Sequence, residues 1–448
     1  MALCVGMVLM LAFSLELPLA AAGEAALEAA DNTEPKAQAT LYSLMAERLA
    51  LMPAVAAAKF RSGQPILDPA REAAVIAEAR AAALRVGLIP DTVEALFVAQ
   101  MNAARAIQSR LIDSWSTPGS HQSDTPVPDA PDLAATIRPA LSRLTPDIVA
   151  AAVDVARGHA PAGLDAFQMS DGAVALDAAS RAALVRAVAG LRVYPHRLAQ
   201  LSATGVLRVG MTGDYAPFSL HANKDTSGKA DALADWSGID VDLARDLAAS
   251  LGVALQIVPT TWATLADDLS AGAFDLAAGG VSRTLDRQRV GLQTAPYHAD
   301  GKTPIIRCAD QTRFQSLEDI DQPGVRVVVN PGGTNQRFVN QRILEADLQV
   351  YPDNRTIFDE LVAGRADVMF TDRIEVELQS RARPSLCAAL AEDLTYQEKA
   401  WLLPQDPIWL AYVDTWLALR LAEGAVDRAF AEHGAKRRPA TRRPAIRH

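Results

Sequence analysis

Cysteine is scarce, with 3 in 448 residues, and no Cys/His spacing resembles a metal site, so no metal or redox cofactor is implied. A positive excess is also missing. The 43 Lys and Arg stand against 53 Asp and Glu, and the formal net charge of −10 argues against a nucleic-acid partner. The apolar run that fills residues 2–15 is too short to span a membrane, because Glu16 and Pro18 interrupt it. The glycine-containing stretch at 330–335 lacks the Gly-Lys-Ser/Thr ending of a phosphate loop, and the chain has no repeat of fixed period. What is there is ordinary for soluble protein: half the residues are hydrophobic and 21% are charged. The length suggests two or three domains.

The apolar run and the small residues Ala20-Ala21-Ala22-Gly23 read as a signal peptide over 1–22, although no positive charge precedes the run. Export to an oxidising compartment, with no stable membrane insertion after cleavage, is the expectation. Cys308 and Cys387 then remain as a disulfide candidate, worth roughly 4.5 kcal/mol in the chain-entropy model, with two free thiols as the alternative. Composition divides the mature chain into an alanine-rich helical part, 23–200, and a β/α part, 201–435. Residues 436–448 are basic and proline-containing and read as a solvated, disordered tail.

Residues 38–60 repeat apolar side chains at helical spacing, with Arg48 and Lys59 three turns apart on one face and Pro53 expected to kink the helix. Asp68 suits a helix cap, Pro69 the first position, and Arg71 and Glu72 follow one turn later. A third helix from about Asp91 aligns Gln100, Ala104 and Gln108 at steps of four. Thr117 to Pro131 reads as a loop. The phrases Glu47-Arg48-Leu49, Val55 to Lys59 and Asp68 to Glu72 resemble the all-helical chorismate mutases, particularly their exported class. That resemblance implies that Arg48 and Arg71 grip the carboxylates of chorismate. Lys59 and Gln108 would donate to the breaking ether oxygen, and Glu72 and Asp68 would meet the hydroxyl. The chemistry needs a compact conformer and a stabilised ether oxygen, which oriented cations and amides can supply. Ala104 departs from the family's Ser or Thr, and the second-half arginine is either Arg138 or Arg143. The resemblance also implies a homodimer formed through the helical domain.

After residue 200, β-branched runs alternate with helical patterns, predicting a mostly parallel sheet covered by helices, with ligands beyond the strand ends. Val327-Val328-Val329 leads into Asn330-Pro331-Gly332-Gly333-Thr334-Asn335, where glycines would let backbone amides approach a ligand. A plain turn with Thr334 as helix cap is the alternative. The order of elements resembles the two-lobed periplasmic solute-binding proteins for amino acids, with crossovers near Pro304–Arg307 and Lys399–Leu403. In that family an arginine clamps a carboxylate; Arg287 occupies the place, and Arg283 is its neighbour.

Five ordered phrases, among them Thr212 to Tyr215, Val258 to Trp262 and Thr371 to Glu375, more closely resemble cyclohexadienyl dehydratase, which acts on prephenate or arogenate. By that resemblance Glu375 is the general acid that protonates the departing ring hydroxyl. Asp214, Trp262, Asn330 and Thr334 line the pocket with Asp372, and Lys302 meets the second carboxylate. Asp372 and Glu375 also have the spacing of a capping box. The fold expected is therefore multi-domain, all-α followed by a two-lobed α/β domain. The function expected is an exported enzyme of phenylalanine biosynthesis that takes chorismate to prephenate and then to phenylpyruvate, or arogenate to phenylalanine. The alternative is an amino-acid receptor with an inactive helical extension.

Overall fold

A computed structural model describes residues 36–116, 127, 129–158, 175–222 and 233–440. The expected signal peptide, most of the 117–131 loop and the last eight residues lie outside the described residues. The chain divides into two compact units between Val193 and Tyr194.

The first unit is helical. Helix α1 (residues 36–50) continues after a turn at Leu51 into α2 (Met52–Ser62). Pro53 stands in the opening turn of α2, where its missing N–H costs no hydrogen bond, so the expected kink takes the form of a restart. The stretch Lys36–Ser62 is long and apolar enough to cross a membrane, yet half of its most apolar window is buried inside the protein. Helix α3 (Pro69–Val86) opens on Asp68, whose carboxylate accepts the Arg71 N–H at 3.1 Å, and closes on left-handed Gly87. Helix α4 (Pro90–Ser116) packs on α2, α3 and α6 (Ala178–Ala189). Helix α5 (Arg138–Gly158), entered through a π-helical turn at Leu133–Ile137, packs on α3. Leu41, Met45, Leu49, Val93, Phe97 and Ile148 form the centre of the core. The opposite edges of α2, α3 and α4 are left to build a cavity.

The second unit has two lobes, each built on a five-stranded sheet. In the first, the order is Ala254–Pro259, Val206–Met211, Leu276–Ala277, Leu402–Leu403, Leu292–Gln293. In the second it is Asp347–Val350, Arg326–Val329, Val368–Asp372, Lys302–Arg307, Leu386–Ala388. Pairing is parallel at the start of each sheet and antiparallel where the returning strand enters. The lobes are joined by two antiparallel strands, His298–Asp300 and Gln397–Lys399. These crossovers precede the expected positions, because Pro304–Arg307 is already a paired strand of the second sheet and Leu402–Leu403 one of the first.

Two further expectations are corrected. Cys308 and Cys387 are free thiols. Cys387 lies on a strand opposite Ile306 and Cys308 in the turn just after that neighbouring strand; the Cys387 thiol donates to Gln311 Oε1 at 3.2 Å and the Cys308 thiol to Pro384 O at 3.9 Å. Burial and the nearby Cys308 push the Cys387 thiol up to about 12. The basic tail is not solvated from its start. Arg437 pairs with Asp427 at 2.6 Å, and the Arg438 backbone N–H donates to His298 Nδ1 at 3.0 Å while its carbonyl accepts the Ala299 N–H at 2.7 Å. The unpaired edge of a hinge strand supplies what composition could not foretell, a backbone partner.

Candidate active sites

In the helical unit, the end of α1, α2, α3, α4 and the start of α5 line a cavity of about 110 Å3. Arg48, Lys59, Asp68, Arg71, Glu72 and Gln108 all line it, so three separated sequence phrases converge on one wall system. The spacings explain this: three turns carry Arg48 and Lys59 to the same face, and steps of four do the same for Gln100, Ala104 and Gln108. Arg48 lies 5.7 Å above the Phe97 ring and donates to Leu141 O at 3.2 Å. Burial, then the repulsion of Arg71, lowers it to about 10. Lys59 donates to Ile66 O at 2.6 Å, and burial lowers its pKa against the pull of Asp68.

Arg138 lines the cavity and reaches Asp68 at 3.4 Å, whereas Arg143 is exposed and takes no part in the lining. Arg71 donates to Ser142 at 3.0 Å, and Glu72 is held by Arg105 at 3.0 Å. Arg105, one residue off the Gln100–Gln108 face, was not foreseen. Gln108 donates to Met52 Sδ at 3.5 Å and leaves its oxygen unpartnered; Gln100, 1% exposed, has neither amide atom satisfied. Two unpartnered buried amides facing one cavity are groups awaiting a polar ligand.

The second site lies between the lobes, around a cavity of about 20 Å3. The usual threshold for one water is roughly 10–15 Å3, so the two lobes stand close together around it. Trp262, Arg287, Asn330, Thr334 and Asp372 line it, as expected. Arg287 donates to Ser282 O at 2.7 Å and is lowered to about 10 by burial, while Arg283 turns away to Glu398 at 2.7 Å. The helix after the glycines starts at Thr334, with Gly333 and not Thr334 at the cap position. Gly332 has φ +81°, and a Cβ there would come within 2.8 Å of the Ala263 backbone in the other lobe. Gly332 thus lets the two lobes approach closely, while a Cβ at Gly333 would make only ordinary contact with Trp262 at 3.8 Å.

Asp372 is the hub. Its Oδ1 accepts Lys302 Nζ at 2.6 Å; its Oδ2 accepts Lys399 Nζ at 2.5 Å and the Tyr215 hydroxyl. Burial alone would raise this carboxyl, but the two ammonium groups hold it well below the usual range. Asp372 makes no side-chain cap to its own helix, so the capping-box reading fails. Lys302 does not line the cavity. It is 0% exposed and shared between Asp372 and Asn335, which corrects its expected place against a second ligand carboxylate. Asp214, also absent from the lining, accepts Trp262 Nε1 at 3.2 Å, and burial raises it.

Glu375, 1% exposed, is likewise one layer back. A hydrogen-bond chain joins it to the cavity: Asn335 Nδ2 donates to Thr371 Oγ1 at 3.4 Å, and Thr371 donates to Glu375 Oε2. Burial pushes Glu375 up to about 8, with the negative charges of Asp372 and Asp214 acting the same way against the Thr371 hydrogen bond. A carboxyl at that value holds its proton at neutral pH and can deliver it. Tyr215 and Ser282 also line the cavity, from the strand-end stretches Asp214–Phe218 and Gly280–Arg287 where ligand was expected. Lys399 was missed, since it reaches the cavity through long-range strand pairing and through no local pattern.

Residues 207–435 match the profile of bacterial extracellular solute-binding proteins, family 3, and residues 38–109 that of chorismate mutase type II. The first match spans half of the chain, which therefore belongs to the family 3 solute-binding proteins and carries a type II chorismate mutase domain ahead of that fold. Within the family, the chain is 46% identical over 239 residues to the cyclohexadienyl dehydratase of Pseudomonas aeruginosa, covering 53% of this chain and 86% of that protein. It is 26% identical over 202 residues to the L-cystine-binding protein TcyJ of Escherichia coli, covering 45% of this chain and 71% of that one. Among solved structures, an ancestral amino acid-binding protein described as a precursor of cyclohexadienyl dehydratase matches at TM-score 0.47 and 30% identity, covering 53% and 98%.

Proposed function

We propose that the chain is a bifunctional enzyme of phenylalanine biosynthesis. Its helical unit rearranges chorismate to prephenate, and its two-lobed unit converts prephenate to phenylpyruvate, or arogenate to phenylalanine. The observation that carries this reading is the pairing of a cavity lined by Arg48, Lys59 and Gln108 with an enclosed Glu375 held protonated up to about pH 8. In the first site Arg48, Arg71 and Arg138 hold the two carboxylates, and Lys59 and Gln108 donate to the ether oxygen as charge develops there. No proton need move.

In the second site Arg287 receives a carboxylate, and Asn330, Thr334 and Trp262 border the ring. The ring carboxylate leaves as carbon dioxide, and its bonding pair completes the aromatic ring. The ring hydroxyl departs as water with the proton of Glu375, which then recovers one from solvent. Parting of the lobes admits the substrate and brings Glu375 within its reach; closure then excludes water. Export by the apolar N-terminal stretch and dimerisation through the helical unit complete the proposal.

The test supplies purified protein with chorismate and follows phenylpyruvate. Wild type should release it, and Glu375→Gln should accumulate prephenate. Chorismate left untouched by wild type refutes the mutase half, and prephenate supplied directly but unconsumed refutes the dehydratase half.

A further inference from the structure

The amide of Gln100 stands unused in the helical cavity. Gln100 lines that cavity at 1% exposure, and among the described residues neither its Nε2 nor its Oε1 has a hydrogen-bond partner. Gln108, two turns further along α4, differs, because its Nε2 already donates to Met52 Sδ. Phe97, Ala99, Met101 and Ala103 flank Gln100 in sequence and are buried with it. Methionine or leucine in their company would fill the same space and leave no polar group unmet. An amide kept there calls for a partner that arrives with a ligand.

The neighbours say which part of a ligand. Phe97 precedes Gln100 by three residues, on the same side of α4, and the Arg48 guanidinium lies 5.7 Å from the centre of that phenyl ring. Arg48 is bonded to the Leu141 carbonyl and Arg71 to Ser142, so both keep N–H donors for an anion. A carboxylate held by the two offers about four acceptor positions, and a further donor fits. A third cation would add to the repulsion that Arg71 already exerts on Arg48. A neutral amide brings the hydrogen bond without the charge.

We propose that Gln100 is a substrate-binding residue of the helical site, whose amide N–H donates to the carboxylate that Arg48 and Arg71 grip. The terminal torsion of a glutamine is soft, so the amide turns to an entering dicarboxylate while α4 stays in place. The inference rests on the mutase reading and adds a contact that the sequence pattern did not assign.

The experiment follows chorismate rearrangement by the full chain in wild type, Gln100→Met and Gln100→Leu, with thermal melting of each. Both variants should raise KM about tenfold, the worth of a hydrogen bond to a charged group. Their kcat should stay within about threefold of wild type, because the carboxylate is held alike in ground and transition states. Their melting temperatures should match or exceed that of wild type, since an unmet buried amide is gone. A packing role would instead shift α4 and with it Gln108, and so would appear in kcat. KM unmoved in both variants, or loss of folding in both, overturns the proposal; if one variant fails to fold, the other decides. If wild type leaves chorismate unchanged, the mutase reading fails separately, and calorimetry with chorismate still tests the contact. Weaker binding to Gln100→Met than to wild type then supports it; equal binding, or none to wild type, overturns it.

Discussion

The two sites hold their cations in different ways. In the helical cavity Arg48 and Lys59 rest on backbone carbonyls, Arg71 on a serine, and Arg138 on a partly exposed Asp68. In the cleft, Lys302 and Lys399 close on a single buried aspartate, all three side chains 1–4% exposed. The first site leaves about 110 Å3 between fixed helices; the second leaves about 20 Å3 between lobes that must move. Chemistry accounts for the contrast. A pericyclic rearrangement asks for shape and fixed charge, which rigid helices give without enclosure. A dehydration asks for a proton held at neutral pH, and holding it requires burial.

The sharpest way to break this comparison is Glu375→Gln. Turnover of prephenate should fall by roughly 10²–10⁴, while the rearrangement of chorismate stays at the wild-type rate. In wild type the dehydration should decline as pH rises through about 8, where Glu375 loses its proton. The rearrangement should follow a different group, declining with rising pH as Lys59, lowered from its ordinary value by burial, loses its proton. Glu375 also links folding to pH. Its folded pKa exceeds the unfolded one of about 4.3, so stability should drop as pH rises from there through about 8, and Glu375→Gln should flatten that slope in urea titrations.

Next in size, Asp372→Asn strands two buried ammonium groups and should cost about 3–5 kcal/mol in the unfolding of the second unit. The same change at Glu72, a partly exposed partner of Arg105, should cost under about 1 kcal/mol. Lys59→Ala should slow the rearrangement by about 10²–10³ and leave prephenate consumption unchanged. Smallest, Ala104→Ser restores a hydroxyl to the cavity wall and should raise mutase kcat/KM a few-fold, the worth of roughly one hydrogen bond.

The helical site was the more legible because its grammar is local. Asp68, Pro69 and Arg71 are a cap, a first position and a side chain one turn on, and the folded helix uses them so. Arg48 and Lys59 needed only the helical period. In the second unit, Arg287, Asn330 and Thr334 could be read from strand ends, but the Asp372 hub could not. Lys399 lies in Gln397-Glu398-Lys399, a stretch with nothing local to mark a buried lysine. Its place follows from pairing with His298, a hundred residues earlier. Lys302 showed the reverse failure: a cation near a predicted site was assigned to the ligand when a buried aspartate needed it more.

The Arg437–Arg438 segment gives the hinge an outer partner. With the Ala299 N–H, the His298 ring and Asp393 all engaged by Arg438, the strand about which the lobes turn is tied along its free edge. The tempo of opening is then governed by side chains that touch no substrate. A chain shortened after Ala435 should exchange substrate and product at a different rate while its chemical step, seen in a single turnover, keeps its pace.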